Sequence, residues 1–433
     1  MNEIGIGLLG FGTVGAGVVE GLQRNADLLA RRAGVRLVLR WIADLDLERD
    51  RGVKVDRGML TRDARAVVED PKVDVIVELI GGVGIARELV TRALELGKPV
   101  VTANKKMLAE YGADLFALAA RKKTELAFEA SVAGGIPIIK ALREGLIANH
   151  IGEAYGILNG TCNYILTRME QEGLPFDDVL KAAQAAGYAE AEPSLDIDGL
   201  DTAHKAAILA SLAYGFPVPM KALQVEGIRG MAQDEIRYAS ELGYRIKLLA
   251  VIKQDARGVS VRVQPTLVPH RHMLASVSGV FNAVLVRGDV VGDTLYYGRG
   301  AGRLPTASAV IADIADVARH RVGSGAPQPV FPPDGQKALM AELDDLGARY
   351  YLRLALLDRP GVLARVAQVL GRHQISIASM IQKEESRGDH VPVIVLTHEA
   401  AEKNFRAALD EIDRLDVVGA KTVRLRIEDF GGG

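Results

Sequence analysis

The chain has 433 residues, 48% of them hydrophobic and 25% charged, with a formal net charge of −2. That length accommodates two or three domains with sizeable cores, and that charge balance offers nothing to nucleic acid or to an anionic membrane. A single cysteine, Cys162, excludes an intrachain disulfide and a cysteine-built zinc site, and the lack of an uncharged apolar run of about 18 residues argues against a spanning helix.

The opening Met-Asn-Glu lacks a basic segment and runs straight into an apolar strand at 4–9, which reads as a cytoplasmic chain without a signal peptide. Gly10-Phe11-Gly12-Thr13-Val14-Gly15 follows, and then a helical pattern with Val18, Val19 and Leu22 on one face. Strand, GxGxxG and helix in succession are the context of a dinucleotide site, because the glycines permit a tight turn, backbone approach to a pyrophosphate and close helix packing. A second strand, Val35 to Ala43, ends in Asp44; an acid there suits a free ribose 2′-hydroxyl and points to NAD over NADP. Arg49 and Arg51 stand close enough to leave NADP open.

The alternation continues through strand 73–80, helix 84–97, strand 98–103, helix 106–122 and strand 125–129, which defines an α/β fold with a doubly wound parallel sheet. Asn104-Lys105 falls at the carboxyl end of a strand, where such sheets bind ligands. Glu129-Ala-Ser-Val132-Ala-Gly134-Gly135-Ile136 sets one carboxylate beside a glycine-rich turn; its carbonyls suit a hard cation, although a simple turn explains the pattern as well.

From about 138 the pattern changes to helices and longer strands. Asn159-Gly160-Thr161-Cys162-Asn163 at a strand-to-helix junction reads either as a helix cap or as a ligand-facing group. Two helices then lead to residues 187–205, where Glu190, Glu192, Asp196, Asp198 and Asp201 precede Lys205. A solvated acidic loop is one reading. A calcium loop fails, because the position that needs a bidentate Glu is Lys205. The third is a cluster that grips a cationic substrate around a proton-handling lysine, with Asp201 and Lys205 one turn apart on a shared helix face.

Segments 248–252, 259–263, 283–287 and 294–297 read as an antiparallel sheet suited to a partner subunit, and Gly298 to Pro305 opens a further helix, 306–320. Residues 322–335 are linker by composition. Beyond about 349 the order strand, helix, strand, strand, helix, strand is a ferredoxin-like unit without a nucleophile set of its own, which reads as a regulatory or assembly module.

Together these motifs resemble the homoserine dehydrogenase family from residue 4 to about 428. The runs GLLGFGTVG, VTANK, FEASVAGGIP, NGTCNY and GLDTAHK stand in family order and spacing. The resemblance implies a Rossmann-type nucleotide domain (1–135), an α+β substrate and dimerisation domain (136–320, its last helix returning to the first domain), a linker (321–348) and an ACT domain (349–428). It also implies the monofunctional type, without a fused kinase. The implied reaction interconverts L-homoserine and L-aspartate 4-semialdehyde with NAD or NADP, in the biosynthesis of threonine, methionine and isoleucine.

By the same resemblance, Lys205 is the acid–base residue and Lys105 the second active-site lysine. Glu190 and Asp201 are substrate ligands, with Asp196, Thr161 and Tyr188 as neighbours. Phe11, Gly12, Thr13, Val14, Asp44, Lys105, Gly187 and Gly302 meet the cofactor. Glu129, Val132, Gly134 and Ile136 form a monovalent-cation site, usually for sodium. A homodimer or homotetramer and an amino-acid effector such as threonine at the ACT domain are implied partners. Two departures stand out: Leu45 replaces the family's frequent Arg or Lys, and Gln374 its common Asn before Ile-Ser-Ile. Other NAD-linked amino-acid dehydrogenases, and a non-catalytic nucleotide sensor, are the alternatives.

Overall fold

The computed structural model describes residues 2–323, 330–331, 339–382 and 389–431, so most of the proline- and glycine-rich linker stretch lies outside the described residues. Strands β1 (Glu3–Leu9), β2 (Arg36–Ala43), β3 (Leu60–Thr61), β4 (Val75–Glu78), β5 (Val100–Thr102) and β6 (Leu126–Ala127) form one parallel sheet in the order β3-β2-β1-β4-β5-β6. Helices α1 (Thr13–Arg24), α2 (Ala26–Ala33), α3 (Ala64–Glu69), α4 (Ile85–Glu95) and α5 (Lys105–Arg121) connect them. Helices on both faces explain why these strands read as nearly unbroken Val, Ile and Leu; all of β4 is buried. The chain leaves β1 towards β2 on one side and reaches β4 on the other, so a crevice opens at the carboxyl ends of β1 and β4.

After β6 the expected strand does not continue to Glu129. Glu129–Ser131 is a 3-10 turn instead, leading to the short helix α6 (Ile138–Lys140), because the Glu129 carboxylate is drawn back onto that helix start. Then come β7 (Ile151–Ile157), α7 (Gly160–Glu172), α8 (Phe176–Ala185), α9 (Ser194–Ile197), α10 (Leu200–Tyr214), β8 (Gln224–Val225), α11 (Gln233–Glu241), β9 (Tyr244–Asp255), β10 (Gly258–Pro269), β11 (Phe281–Gly288) and β12 (Gly292–Arg299). Strands β9 and β10 are far longer than their apolar stretches suggest, 12 residues each in unbroken antiparallel register. Arg262, Gln264 and Thr266 interrupt the apolar run of β10 yet are themselves buried, which hides the strand's extent from hydrophobic patterning.

Helix α12 (Arg303–Val322) begins earlier than its apolar periodicity, with Pro305 tolerated in its first turn. It packs on the parallel sheet, where Val310, Ile314 and Val317 share a core with Val18, Val19 and Val75. The tail comprises β13 (Gly347–Leu357), α13 (Val362–Arg372), β14 (Ile377–Gln382), β15 (His390–Thr397), β16 (Ala400–Ala401), α14 (Glu402–Ile412) and β17 (Val418–Ile427). Its sheet is not separate. Strand β17 pairs in parallel with β10 (Thr266 with Arg426, Leu267 with Ile427), giving one large sheet ordered β12-β11-β7-β9-β10-β17-β13-β15-β14.

Candidate active site

The three motif glycines have different tasks. Gly10 has φ +99°, and a Cβ there would meet the Leu79 carbonyl at 2.7 Å; a Cβ on Gly15 would stand 2.2 Å from Gly10 O. Nothing lies within 4 Å of where a Cβ of Gly12 would project. The outer two glycines therefore serve packing and the middle one leaves room for a ligand. Gly12 and Thr13 are exposed and Val14 is half-buried at the amino end of α1, whose first turn carries no acid. Free backbone N–H groups there suit a pyrophosphate.

Asp44 is not a lone acid. Its Oδ2 accepts from Phe11 N at 2.6 Å, and its Oδ1 accepts from Asp46 N at 2.9 Å and from Arg51 at 3.2 Å. The Arg51 guanidinium lies 4.9 Å over the Phe11 ring, donates to the Phe11 carbonyl and is almost wholly buried. Both an acid and a cation thus flank the second strand's end. Leu45 beside them is exposed.

At the next strand ends, buried Glu78 accepts from Ile80 N (2.8 Å), Gly81 N (2.9 Å) and Thr102 Oγ1 (2.6 Å). Asn104 donates to Gly82 O at 2.7 Å and caps Met107 N at 3.1 Å, which fixes Lys105 as the first residue of α5 at the crevice mouth.

Lys105 reaches out of the nucleotide-binding unit to Asp201, with Nζ 2.8 Å from Oδ1. Asp201 Oδ2 accepts from Lys205 Nζ at 2.7 Å, the i,i+4 pair on α10. Lys205 also donates to Leu158 O at 2.7 Å. Asn159 donates to Asp201 Oδ2 (2.9 Å) and to Asp196 Oδ1 (2.7 Å), while its own Oδ1 caps Cys162 N at 2.8 Å. Asn159 is therefore both cap and site group. Its position before Gly-Thr-Cys signals the cap, and nothing local signals the two carboxylates.

Burial alone would raise the Asp201 carboxyl, but Lys205 and Lys105 outweigh it and hold the group well below the usual carboxylate range. Burial pushes Lys205 down against the opposing pull of Asp201. Lys105 goes the other way, since Asp201, Asp196 and Glu190 overcome its partial burial and raise it. Burial also raises Asp196, against the Asn159 hydrogen bond. The arrangement holds one lysine as a firm cation and makes the other easier to deprotonate, with a shared carboxylate between them.

The remaining acidic-stretch residues divide. Gly187 (φ +75°) and Tyr188 are exposed; Tyr188 O accepts from Thr161 Oγ1 at 2.7 Å, and its ring packs 4.8 Å from that of Tyr164. Glu190 is exposed at the rim and acts on Lys105 through charge. Glu192 binds Ser194, and Asp198 binds Arg229 at 2.7 Å, a solvated pairing remote from the lysines.

In the 129–136 turn, the Glu129 carboxylate accepts from Ile139 N (2.9 Å) and Lys140 N (2.8 Å), and burial raises its pKa. Both carboxylate oxygens are thus turned onto the start of α6. Ala133 and Gly134 both have positive φ (54° and 42°), and Val132 and Ile136 are buried. Among the described residues no group of three or more His, Cys, Asp or Glu side chains is arranged for a metal. Gly302 (φ +128°) precedes α12, whose first residue Arg303 lies against α1: a Cβ on Gly17 would stand 2.5 Å from the Arg303 carbonyl oxygen.

Three family models match the chain: "Homoserine dehydrogenase, NAD binding domain" over 10–129, "Homoserine dehydrogenase" over 137–315 and "ACT domain" over 350–417. Homoserine dehydrogenases of Neisseria gonorrhoeae and Pseudomonas aeruginosa are each 46% identical, covering 99% of this chain and 100% of theirs. The crystal structure of a homoserine dehydrogenase from Thiobacillus denitrificans superimposes with a TM-score of 0.95 at 48% identity, covering 100% of this chain and 99% of that one. A doubly wound parallel sheet, a Lys–Asp–Lys chain at its mouth and full-length likeness converge: the chain belongs to the homoserine dehydrogenase family.

Proposed function

We propose that the chain interconverts L-homoserine and L-aspartate 4-semialdehyde, with Lys205 as the general acid and base. The observation that carries this is the Lys105–Asp201–Lys205 relay, which joins the mouth of the dinucleotide crevice to the acidic segment. The nicotinamide ring, when bound, supplies or accepts the hydride. An ammonium has three protons, and Lys205 spends two on Leu158 O and Asp201. The third is free for the substrate's C4 oxygen, where negative charge develops during aldehyde reduction. In the oxidation direction the same nitrogen takes the hydroxyl proton, which its burial favours.

Glu190 and Asp196 are acceptors for the substrate ammonium, with Thr161 and Tyr188 beside them. Asp201 is tied to both lysines and serves to orient them as well as to meet substrate. Phe11, Gly12, Thr13, Val14, Gly187 and Gly302 line the proposed dinucleotide path. Asp44 supports NAD; Arg51 beside it supplies the guanidinium a 2′-phosphate would need. Carbonyls of Glu129, Val132, Gly134 and Ile136 form the proposed sodium site. An amino acid is the proposed effector of the ACT unit, and a homo-oligomer in the cytoplasm the proposed working form; exposed Tyr297 on edge strand β12 supports a subunit contact there.

The test is purified chain with L-homoserine and NAD or NADP, followed by reduced-nicotinamide absorbance. No turnover with either dinucleotide would refute the reading, and a strong NADP preference in kcat/KM would refute the assignment of Asp44.

A further inference from the structure

The chain crosses between the nucleotide-binding unit and the second sheet along two segments, the 129–136 turn and the Gly298–Gly302 turn that leads from β12 to α12. They lie side by side: Gly135 N donates to Arg299 O at 3.0 Å, and a Cβ on Gly134 would stand 2.4 Å from Gly300 O. Both crossings are glycine-rich, which permits their close approach and also suits a small change of backbone angle. Movement there changes the distance between Lys105 on one unit and Asp201 on the other.

Asn282, on β11 opposite Gly298, packs against the second of these turns. A Cβ on Gly300 would lie 2.1 Å from its amide carbon, and one on Gly160 would lie 3.7 Å from its Oδ1. Only 1% of the residue is exposed, and neither its Nδ2 nor its Oδ1 has a hydrogen-bond partner. Each such orphaned group is destabilising, whereas an apolar group of similar shape would carry no such penalty. Its strand is held rigidly, because Asn163 Nδ2 donates to Val277 O (3.2 Å), Gly279 O (3.0 Å) and Phe281 O (3.1 Å) just before it. Asn282 therefore joins the rigid frame of α7, whose cap residue Asn159 aligns Asp196 and Asp201, to the Gly298–Gly302 turn.

We propose that Asn282 is a positioning residue for hydride transfer: its amide pairs with the backbone of the Gly298–Gly302 turn when the two units close on dinucleotide and substrate. In the free enzyme the amide stays unpaired, and closure is favoured by satisfying it. This rests on the dehydrogenase reading of the site, but binding of dinucleotide alone reports on it without turnover.

The experiment compares wild type with Asn282→Leu and Asn282→Ala in the full chain. Three quantities are measured: the melting temperature of the free chain, the Kd for reduced dinucleotide by fluorescence titration, and kcat and KM for homoserine. The expected result is Asn282→Leu melting no lower than wild type. Both variants should bind dinucleotide about tenfold more weakly, a loss of about 1.4 kcal/mol, with kcat reduced more than KM is raised. Dinucleotide affinity and kcat within twofold of wild type in both variants would overturn the proposal. So would an Asn282→Leu chain that melts lower while its affinity is unchanged, since the amide would then be paired already. If the leucine does not fit beside Gly300 and the chain fails to fold, the alanine variant's affinity alone decides.

Discussion

Asp201 accepts from three groups at once, and one of them, Lys205, changes charge in the proposed cycle. Lys205→Ala should lower kcat by about a thousandfold, within the range of a lost general acid, while dinucleotide affinity stays near wild type; retained kcat would remove Lys205 from its role. Because burial lowers Lys205, its neutral form becomes available below the pH at which a free lysine loses its proton. Homoserine oxidation should therefore rise with pH through that lowered pKa and level off below about pH 10.4, as a kcat/KM profile would reveal. A rise only above that pH would contradict the assignment. Asn159 allows a cleaner separation. Asn159→Ala loses the cap of α7, worth about 1 kcal/mol, together with both carboxylate contacts. Asn159→Ser keeps a cap but cannot span to Asp196 and Asp201. The serine variant should be as stable as wild type and still lose about tenfold or more in kcat/KM.

Among the elements, β9 carries a group that titrates against the fold. Lys247 is 1% exposed, donates to Val277 O, and is pushed down to about 8 by burial. The folded state thus binds fewer protons than the unfolded one between about pH 8 and 10.4, so stability rises with pH across that window. The span is worth roughly 3 kcal/mol. Lys247→Met should remove this rise, measured as denaturant midpoints at pH 7.5 and 10; an equal rise in the variant would assign it elsewhere. This strand also illustrates what sequence can reveal. The glycine turn, the strand ends with Glu78 and Asn104, and the i,i+4 pair of Asp201 and Lys205 are legible because their signals are local. Arg51 folding back onto Phe11, Asn159 bridging two carboxylates, and Leu158 O meeting Lys205 are not. Those contacts depend on chain segments that only packing brings together, just as the buried polar residues of β10 hide that strand's extent.

For the whole molecule, the tail is joined to the second sheet by buried charge. Arg426 is 4% exposed and donates to Glu402 at 2.9 Å and to Glu226 at 3.0 Å; Tyr350 OH donates to the same Glu402 oxygen at 2.6 Å. Glu235 on α11 accepts from Tyr351 OH at 2.9 Å and from Arg353. Arg426→Met should destabilise the chain by about 3 kcal/mol, because it leaves buried Glu402 with only the longer Arg424 contact at 3.3 Å. Adding Glu402→Gln should recover most of that loss in the same denaturant titration. Failure to recover would mean that the arginine acts through packing alone. Glu226 adjoins Gly227, whose missing Cβ allows close approach to the Ile197 carbonyl, so the tail is linked through residues 226–228 to the segment that leads into α10.

The return of α12 to the nucleotide-binding sheet bears on how the chain is made. Val310, Ile314 and Val317 complete a core begun by Val18 and Val19, so the first sheet waits, partly uncovered, for a helix encoded far downstream. At ordinary elongation rates that wait lasts on the order of ten to thirty seconds. During it, apolar surface on α1 is open to solvent and to other nascent chains, which makes this interval the period when aggregation competes with folding. A gene fragment ending after β6 would leave that surface open permanently.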